Sequence, residues 1–208
     1  MKVLITAGAT WVPIDEVRIL TNIFTGNTGL GLARSFARKK HQVTLLINPH
    51  CGQKIPAAVK VREFRYFKEL QSLLEEELKS RHYDLIIHCA AVSDYHLKKP
   101  AKGKLPSQEK ELVLKLQPTP KLIKKIRSLA RNSFLVQFKL EAEGERLLNR
   151  ALSSMIRNRA DLAVANAYSD LKQGYLAYII DRSGHIKEIH SKTELFKNIL
   201  RSSTQPRK

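Results

Sequence analysis

Two glycine turns, Gly8-Ala9-Thr10 and Thr25-Gly26-Asn27-Thr28-Gly29, lie either side of Arg18 and Asn22 near the start of the chain. Turns of this kind expose backbone N–H groups, and the second stands at a helix N-terminus, where the dipole favours an anion. Phosphate binding is the chemistry they could support, with Gly8, Thr10, Gly26 and Gly29 as the candidate contacts. A dinucleotide loop would need G-x-G-x-x-G directly between the first strand and the first helix, and an acidic residue closing the second strand. Here the first strand ends near Gly8, the glycines run G-x-x-G-x-G eighteen residues later, and the second strand closes in Ile47-Asn48-Pro49. Taken by itself, Arg18 reads as a surface or ion-pair residue, and Asn22 as a turn or cap residue.

Further along, Ala90-Ala91-Val92-Ser93-Asp94-Tyr95 ends an apolar run. Its small residues would let a ligand lie against the backbone while Asp94 binds an amide or hydroxyl; the alternative is a tight strand exit capped by Asp94. Lys104 stands in a basic loop from which it could reach over a substrate and neutralise phosphate charge, or could simply be solvated. Phe138 and Asn166 each end an expected strand, where ligand contacts concentrate in open α/β sheets but where core and cap residues also sit.

The elements that must position these residues alternate in type. Lys2 to Gly8 reads as a buried parallel strand, Gly29 to Arg38 as an amphipathic helix, and Gln42 to Ile47 as a second strand. Phe67 to His82 places Phe67, Leu70, Leu73, Leu74 and Leu78 at helical spacing, and Asp84 to Ala91 follows as a buried strand. Helices are expected over 121–131 and 143–158, strands over 134–138 and 161–165, a β-hairpin over 175–189 and a helix over 192–201. Residues 96–118 read as a flap, since a loop that long in a compact domain is functional or disordered. The tail 202–208 is expected to fray. Alternation of strands and helices predicts a doubly wound, mainly parallel α/β sheet of Rossmann type, in one domain spanning 1–208.

Composition narrows the classes. Two cysteines, Cys51 in an expected loop and Cys89 in an apolar run, form neither a CxxC pair nor a metal-spaced cluster, so no disulfide framework and no protein-ligated metal is expected. The absence of a signal-peptide pattern and of any run near the roughly 20 apolar residues of a membrane span points to a soluble, cytoplasmic protein. Lys and Arg number 37 against 19 Asp and Glu, a net +18, which attracts phosphate-bearing partners. The excess is spread along the chain without interleaved aromatics, so nucleic acid is not the expected partner.

Taken together, "LITAGATWVPIDEVRILTNIFTGNTG", "AAVSDY", "GKLPS", "FLVQFKLE" and "VANAYSD" resemble phosphopantothenoylcysteine synthetase, a ligase of coenzyme A biosynthesis, over nearly the whole chain. The resemblance implies that the carboxylate of 4'-phosphopantothenate attacks the α-phosphate of CTP or ATP with Mg²⁺, releasing pyrophosphate. The amine of cysteine then displaces the nucleotide. Lys104 matches the family's catalytic lysine and Asn22 the amide that holds the acyl group. Gly8, Gly26, Gly29, Phe138 and Asn166 match nucleotide contacts, and Ala90, Ala91 and Asp94 the pantothenate-binding strand end. Arg18 matches an arginine reaching the substrate phosphate across a homodimer interface. No flavin-dependent decarboxylase segment accompanies the motifs, so a stand-alone synthetase is expected. The chain departs from the pattern where Gly-Gly-Thr is Gly8-Ala9-Thr10, where Ser-Ser-Gly is Phe24-Thr25-Gly26, where Lys-Ile-Lys-Lys is Lys104-Leu105-Pro106-Ser107, and where the bacterial G-F-A-A-E-T is Gln137-Phe138-Lys139-Leu140-Glu141-Ala142. Two rival classes are an NAD(P)-dependent Rossmann reductase, whose Tyr-x-x-x-Lys pair Tyr95-His-Leu-Lys98 misses by one residue, and a non-catalytic basic nucleic-acid-binding module.

Overall fold

The computed structural model describes residues 1–49, 54–108, 110–142 and 146–205, without the side chains of 171–173. Cys51, the expected helix start at Glu143 and the last three residues lie outside that set. Eight strands form one sheet: β1 (Lys2–Ala7), β4 (Gln42–Ile47), β5 (Val59–Glu63), β6 (Leu85–His88), β9 (Phe134–Glu141), β10 (Leu162–Ala167), β11 (Ala177–Asp181) and β12 (Ile186–Ile189). Their order is β12-β11-β10-β9-β6-β1-β4-β5. The six strands from β5 to β10 run parallel, and β11 and β12 add an antiparallel hairpin at one edge. The expected mainly parallel α/β sheet is what the chain forms.

The chain builds outward from β1 through β4 to β5, then returns to place β6 on the other side of β1. That reversal leaves a crevice beyond the carboxyl ends of β1 and β6, the position where open α/β sheets bind ligands. Continuous apolar runs such as Val3-Leu4-Ile5 are buried because helices cover both faces. On one face α1 (Asn27–Arg38) and α6 (Lys192–Thr204) pack through Leu30, Ala33, Phe36, Leu195, Phe196 and Ile199. Phe36 meets Phe196 edge to face at 4.9 Å between centroids; truncating Phe36 to alanine costs about 3–5 kcal/mol. The other face carries α2 (Phe67–Ser80), α3 (Leu122–Leu129) and α4 (Leu147–Asn158) over Leu4, Leu46, Ile86, Leu135 and Ala163.

Several boundaries differ from the sequence expectation. The stretch after β1 forms a small antiparallel hairpin, β2 (Trp11–Pro13) with β3 (Ile19–Thr21). The flap is rooted in a second two-stranded ladder, β7 (Tyr95–Leu97) with β8 (Leu116–Pro118). Tyr95 and Lys98 therefore stand on or beside a strand rather than on one helix face. Where fraying was expected, α6 continues to Thr204 because the Ser203 and Thr204 hydroxyls donate to the Leu200 carbonyl. A short helix, α5 (Tyr168–Gln173), follows β10.

Candidate active site

At the sheet crevice the two glycine turns meet backbone to backbone. Gly8 and Gly26 have φ of +83° and +89°, and a Cβ on Gly26 would lie 2.5 Å from the Gly8 nitrogen. Neither position accepts a side chain: the left-handed conformation disfavours one at both, the Gly8 turn occupies the space at Gly26, and at Gly8 a Cβ would lie 2.8 Å from the Asn48 Cβ. Gly29, one turn into α1, brings that helix onto β1, since a Cβ there would sit 2.7 Å from the Ala7 Cβ. The N-terminus of α1, with Gly26 as its left-handed cap, is thereby fixed against the exit of β1.

A short parallel bridge then joins the exits of β1 and β6. The Ala91 N–H donates to the Gly8 carbonyl at 2.9 Å, and the Thr10 N–H to the Ala91 carbonyl at 3.2 Å. Buried Thr10 accepts the Ser93 N–H on its hydroxyl at 2.8 Å. Exposed Asn22 donates its amide to the same Ala91 carbonyl at 3.1 Å. Gly8, Thr10, Asn22, Gly26, Ala90 and Ala91 thus form one connected group. Phe24, which stands where the resembled pattern has serine, packs edge to face on Tyr168 at 6.1 Å and ties this loop to α5.

Arg18 and the flap are organised by a residue that the sequence reading passed over. Asp15, buried, accepts the N–H groups of Val17 (2.8 Å), Arg18 (2.7 Å) and Leu105 (3.0 Å) and the Arg18 guanidinium (2.6 Å). Burial alone would raise its pKa, but these donors outweigh it and hold the carboxyl down to about 2. Arg18 also donates to the Leu105 carbonyl at 3.2 Å. Leu105 is clamped at both its N–H and its C=O. The adjacent Lys104 side chain is exposed and has no ion pair or hydrogen bond among the described residues.

Beside this group opens a cleft of about 1100 Å³. It is bounded by the ends of β6 and β9 and by α3 and α4, and Ala90, Asp94 and Phe138 line it. Its rim is cationic: Lys121, Lys124, Lys139, Arg146, Arg150 and Arg157 face it against Asp94 and Glu141. Asp94 pairs with Lys121, and Glu141 with Lys139 and Arg150. The Lys139 contact, with Arg150 beside it, outweighs burial and lowers the Glu141 pKa. Lys124, Arg146 and Arg157 pair with no carboxylate among the described residues, so the cleft keeps an uncompensated positive rim. Of the expected contacts, Asn166 lies apart: it is buried, and its amide donates to the Leu176 carbonyl at 2.9 Å, tying β10 to the approach to β11. The cationic rim was missed in the sequence because its members come from separate elements with no shared spacing.

The family model of the DNA/pantothenate metabolism flavoprotein C-terminal domain matches residues 1–205. The chain is 37% identical over 168 residues to the coenzyme A biosynthesis bifunctional protein CoaBC of Thermococcus kodakarensis, covering 79% of the chain and 41% of that protein. To its Methanocaldococcus jannaschii counterpart it is 31% identical over 207 residues, covering 96% and 49%. The chain therefore spans under half the length of these curated relatives. Among solved structures, the DNA/pantothenate metabolism flavoprotein from Streptococcus pneumoniae superposes with a TM-score of 0.86 at 26% identity, over 97% of each chain. A Cab2 variant in complex with phosphopantothenate-cysteine shares the fold, with a TM-score of 0.84 at 17% identity over 97% of this chain and 86% of that one.

Proposed function

Because the chain belongs to the family of the DNA/pantothenate metabolism flavoprotein C-terminal domain, we propose that it joins 4'-phosphopantothenate to L-cysteine through an acyl-nucleotide. The observation that carries this reading is the juxtaposition of Asn22 and the Gly8–Gly26 turns with a cationic cleft at one sheet crevice. A carboxylate is a poor acyl donor, and a nucleotide supplies the leaving group it lacks.

In the first step a carboxylate oxygen of 4'-phosphopantothenate bonds to the α-phosphorus of the triphosphate, and the bond to pyrophosphate breaks. Negative charge gathers at that phosphorus, and Lys104, unpaired and held one residue from a clamped peptide, stabilises it from the flap. The rim cations and the N–H groups of the two turns hold the remaining phosphate oxygens. Mg²⁺ would enter on the triphosphate, held by phosphate oxygens and its own waters, and would offset charge at the α-phosphate. Asp94, at the strand exit, binds an amide or hydroxyl of the pantothenate chain. In the second step the cysteine nitrogen attacks the acyl carbon, the nucleoside monophosphate leaves, and the nitrogen gives up a proton. Asn22, fixed by Ala91, holds the acyl oxygen as it becomes an oxyanion without adding a competing charge. Ala90 and Ala91 leave room for the pantothenate chain along the strand exit, Phe138 flanks the nucleotide in the cleft, and Asn166 acts from behind by holding β10 in place.

A homodimer fits the same reading. Val17, Ile19, Leu20 and Ile23 on the hairpin and Leu112 and Val113 on the flap are exposed apolar side chains, the kind of surface that a second copy would cover. Arg18, held to Leu105 within the flap, would then face the neighbouring site. Among the described residues no helix is long and apolar enough to cross a membrane, and the reading places the reaction in the cytoplasm.

The test is pyrophosphate release from 4'-phosphopantothenate, Mg²⁺ and CTP or ATP, with and without cysteine, with products followed by mass. The ligase reading expects release with at least one nucleotide, and the cysteine adduct only when cysteine is present. Lys104→Gln should abolish release even without cysteine. Asn22→Asp should let acyl-nucleotide accumulate. Folded protein that turns over neither nucleotide would refute the ligase.

A further inference from the structure

Beyond the cleft, the trough between α3 and α4 continues into a second groove of about 550 Å³, and Lys124, Arg157 and Asn158 line both. The groove takes its cations from separate parts of the chain. Lys124 and Arg127 stand on α3, Arg131 just past it, Arg157 and Arg159 at the end of α4, and Arg182 in the turn between β11 and β12. Charges that are scattered in the sequence are thus gathered on one surface.

Two of these cations are structural. Arg127 holds buried Asp161 at 2.6 Å and donates to the carbonyls of Ala130, Arg131 and Ser133, which closes the end of α3. Arg182 reaches the same carboxylate at 2.9 Å and donates to the Arg159 and Ala160 carbonyls after α4. Asp161 and these carbonyls are thereby satisfied without further cations. Lys124, Arg131, Arg157 and Arg159 are left over, and none of them pairs with a carboxylate among the described residues. Arg159 also closes α4 in the left-handed conformation, with φ of +53°, where glycine or asparagine is the favoured residue.

Among the described residues the lining is lysine, arginine, serine and asparagine alone. Small-molecule sites and protein interfaces are built round apolar or aromatic anchors, which this groove lacks. Surfaces that are polar and strongly positive suit nucleic acid instead, and guanidinium groups match phosphate through paired hydrogen bonds. The want of interleaved aromatics, which in the sequence spoke against nucleic acid, excludes only base stacking. We infer that the α3–α4 groove binds the phosphate backbone of a nucleic acid without regard to sequence, through Lys124, Arg131, Arg157 and Arg159. This function is additional to the ligase reading and does not depend on it.

Fluorescence anisotropy with labelled mixed-sequence duplex DNA, duplex RNA and polyglutamate of matched charge, titrated across salt, tests the inference. For duplex DNA the slope of log K against log salt should be about −3 to −4, since each neutralised phosphate contributes roughly −0.9, and two unrelated sequences should bind alike. Arg131→Gln with Arg159→Asn removes two cations that line the groove and not the cleft. Asparagine suits the left-handed position, so thermal melting should show the fold retained. This double variant should flatten the slope by about 2 and weaken binding at least about tenfold near about 0.1 M salt. Arg38→Gln with Lys39→Gln takes the same charge from exposed positions at the end of α1, on the opposite face of the sheet, and should leave the slope as it was. DNA and RNA share the backbone chemistry, and the tighter of the two identifies the source. Binding of neither, equal losses in the two double variants, or polyglutamate held as tightly as nucleic acid would overturn the inference, the last in favour of an acidic protein.

Discussion

Two glycine-to-alanine substitutions within one short motif should shift stability in opposite directions. At Gly31, inside α1, an added Cβ meets nothing within 4 Å. Gly31→Ala therefore acts through backbone entropy, a gain of about 0.5–1 kcal/mol. At Gly26 the φ of +89° disfavours any side chain, by about 1–2 kcal/mol. The new Cβ would also lie 2.5 Å from the Gly8 nitrogen and 2.9 Å from its Cα, which are backbone atoms that cannot rotate away. Overpacking of this kind adds about 1–3 kcal/mol. For a domain of this length each kcal/mol moves Tm by roughly 2–4 °C. Gly31→Ala should raise Tm by about 1–4 °C, and Gly26→Ala should lower it by roughly 4–20 °C. Differential scanning calorimetry of both variants, with pyrophosphate release on the folded fraction, measures the pair. Equal Tm changes of the same sign, or a Gly26→Ala protein with wild-type Tm and turnover, would refute the view that the two turns are held in direct backbone contact.

Asp15 gives a pH signature. Its folded pKa of about 2 lies below the ordinary 3.8, so its contribution is fully present above pH 3.8 and is lost as pH falls through about 2. Hydrogen exchange at the Val17, Arg18 and Leu105 amides should accelerate over that window beyond the intrinsic pH effect, and Asp15→Asn should remove the window. Asp161 holds Arg127 at 2.6 Å, Arg182 at 2.9 Å and the Leu135 N–H at 2.8 Å, with its side chain only 3% exposed. Asp161→Ala should cost about 3–5 kcal/mol in urea unfolding. Asp94→Ala, which breaks a pair whose side chains are 66% and 59% exposed, should cost about 0–1 kcal/mol.

Periodicity made the long elements legible. The apolar spacing from Phe67 to Leu78 marks α2 to within two residues of its end, and Val3-Leu4-Ile5 marks β1. β5 was illegible because Lys60 and Arg62 look like surface charge. In the fold they reach buried Glu77, at 2.6 and 3.2 Å, which the Tyr83 hydroxyl also satisfies at 2.6 Å. The glycine turns were visible as candidate phosphate contacts, since left-handed backbone leaves a local mark. Asp15 left none. Its importance comes from partners far along the chain, such as the Leu105 N–H in the flap.

The strand order also sets a timetable for synthesis. β1 emerges first, but it waits for residues 42–47 on one side and 85–88 on the other. β6 in turn has a bare edge until β9 arrives at residues 134–137. A nascent chain that pauses in between presents Leu85, Ile86 and Ile87 along an unpaired parallel edge, the kind of template on which chains associate wrongly. The basic flap is translated during that interval. Its lysines would keep such chains apart by mutual repulsion until α4 seals the last wall of the cleft.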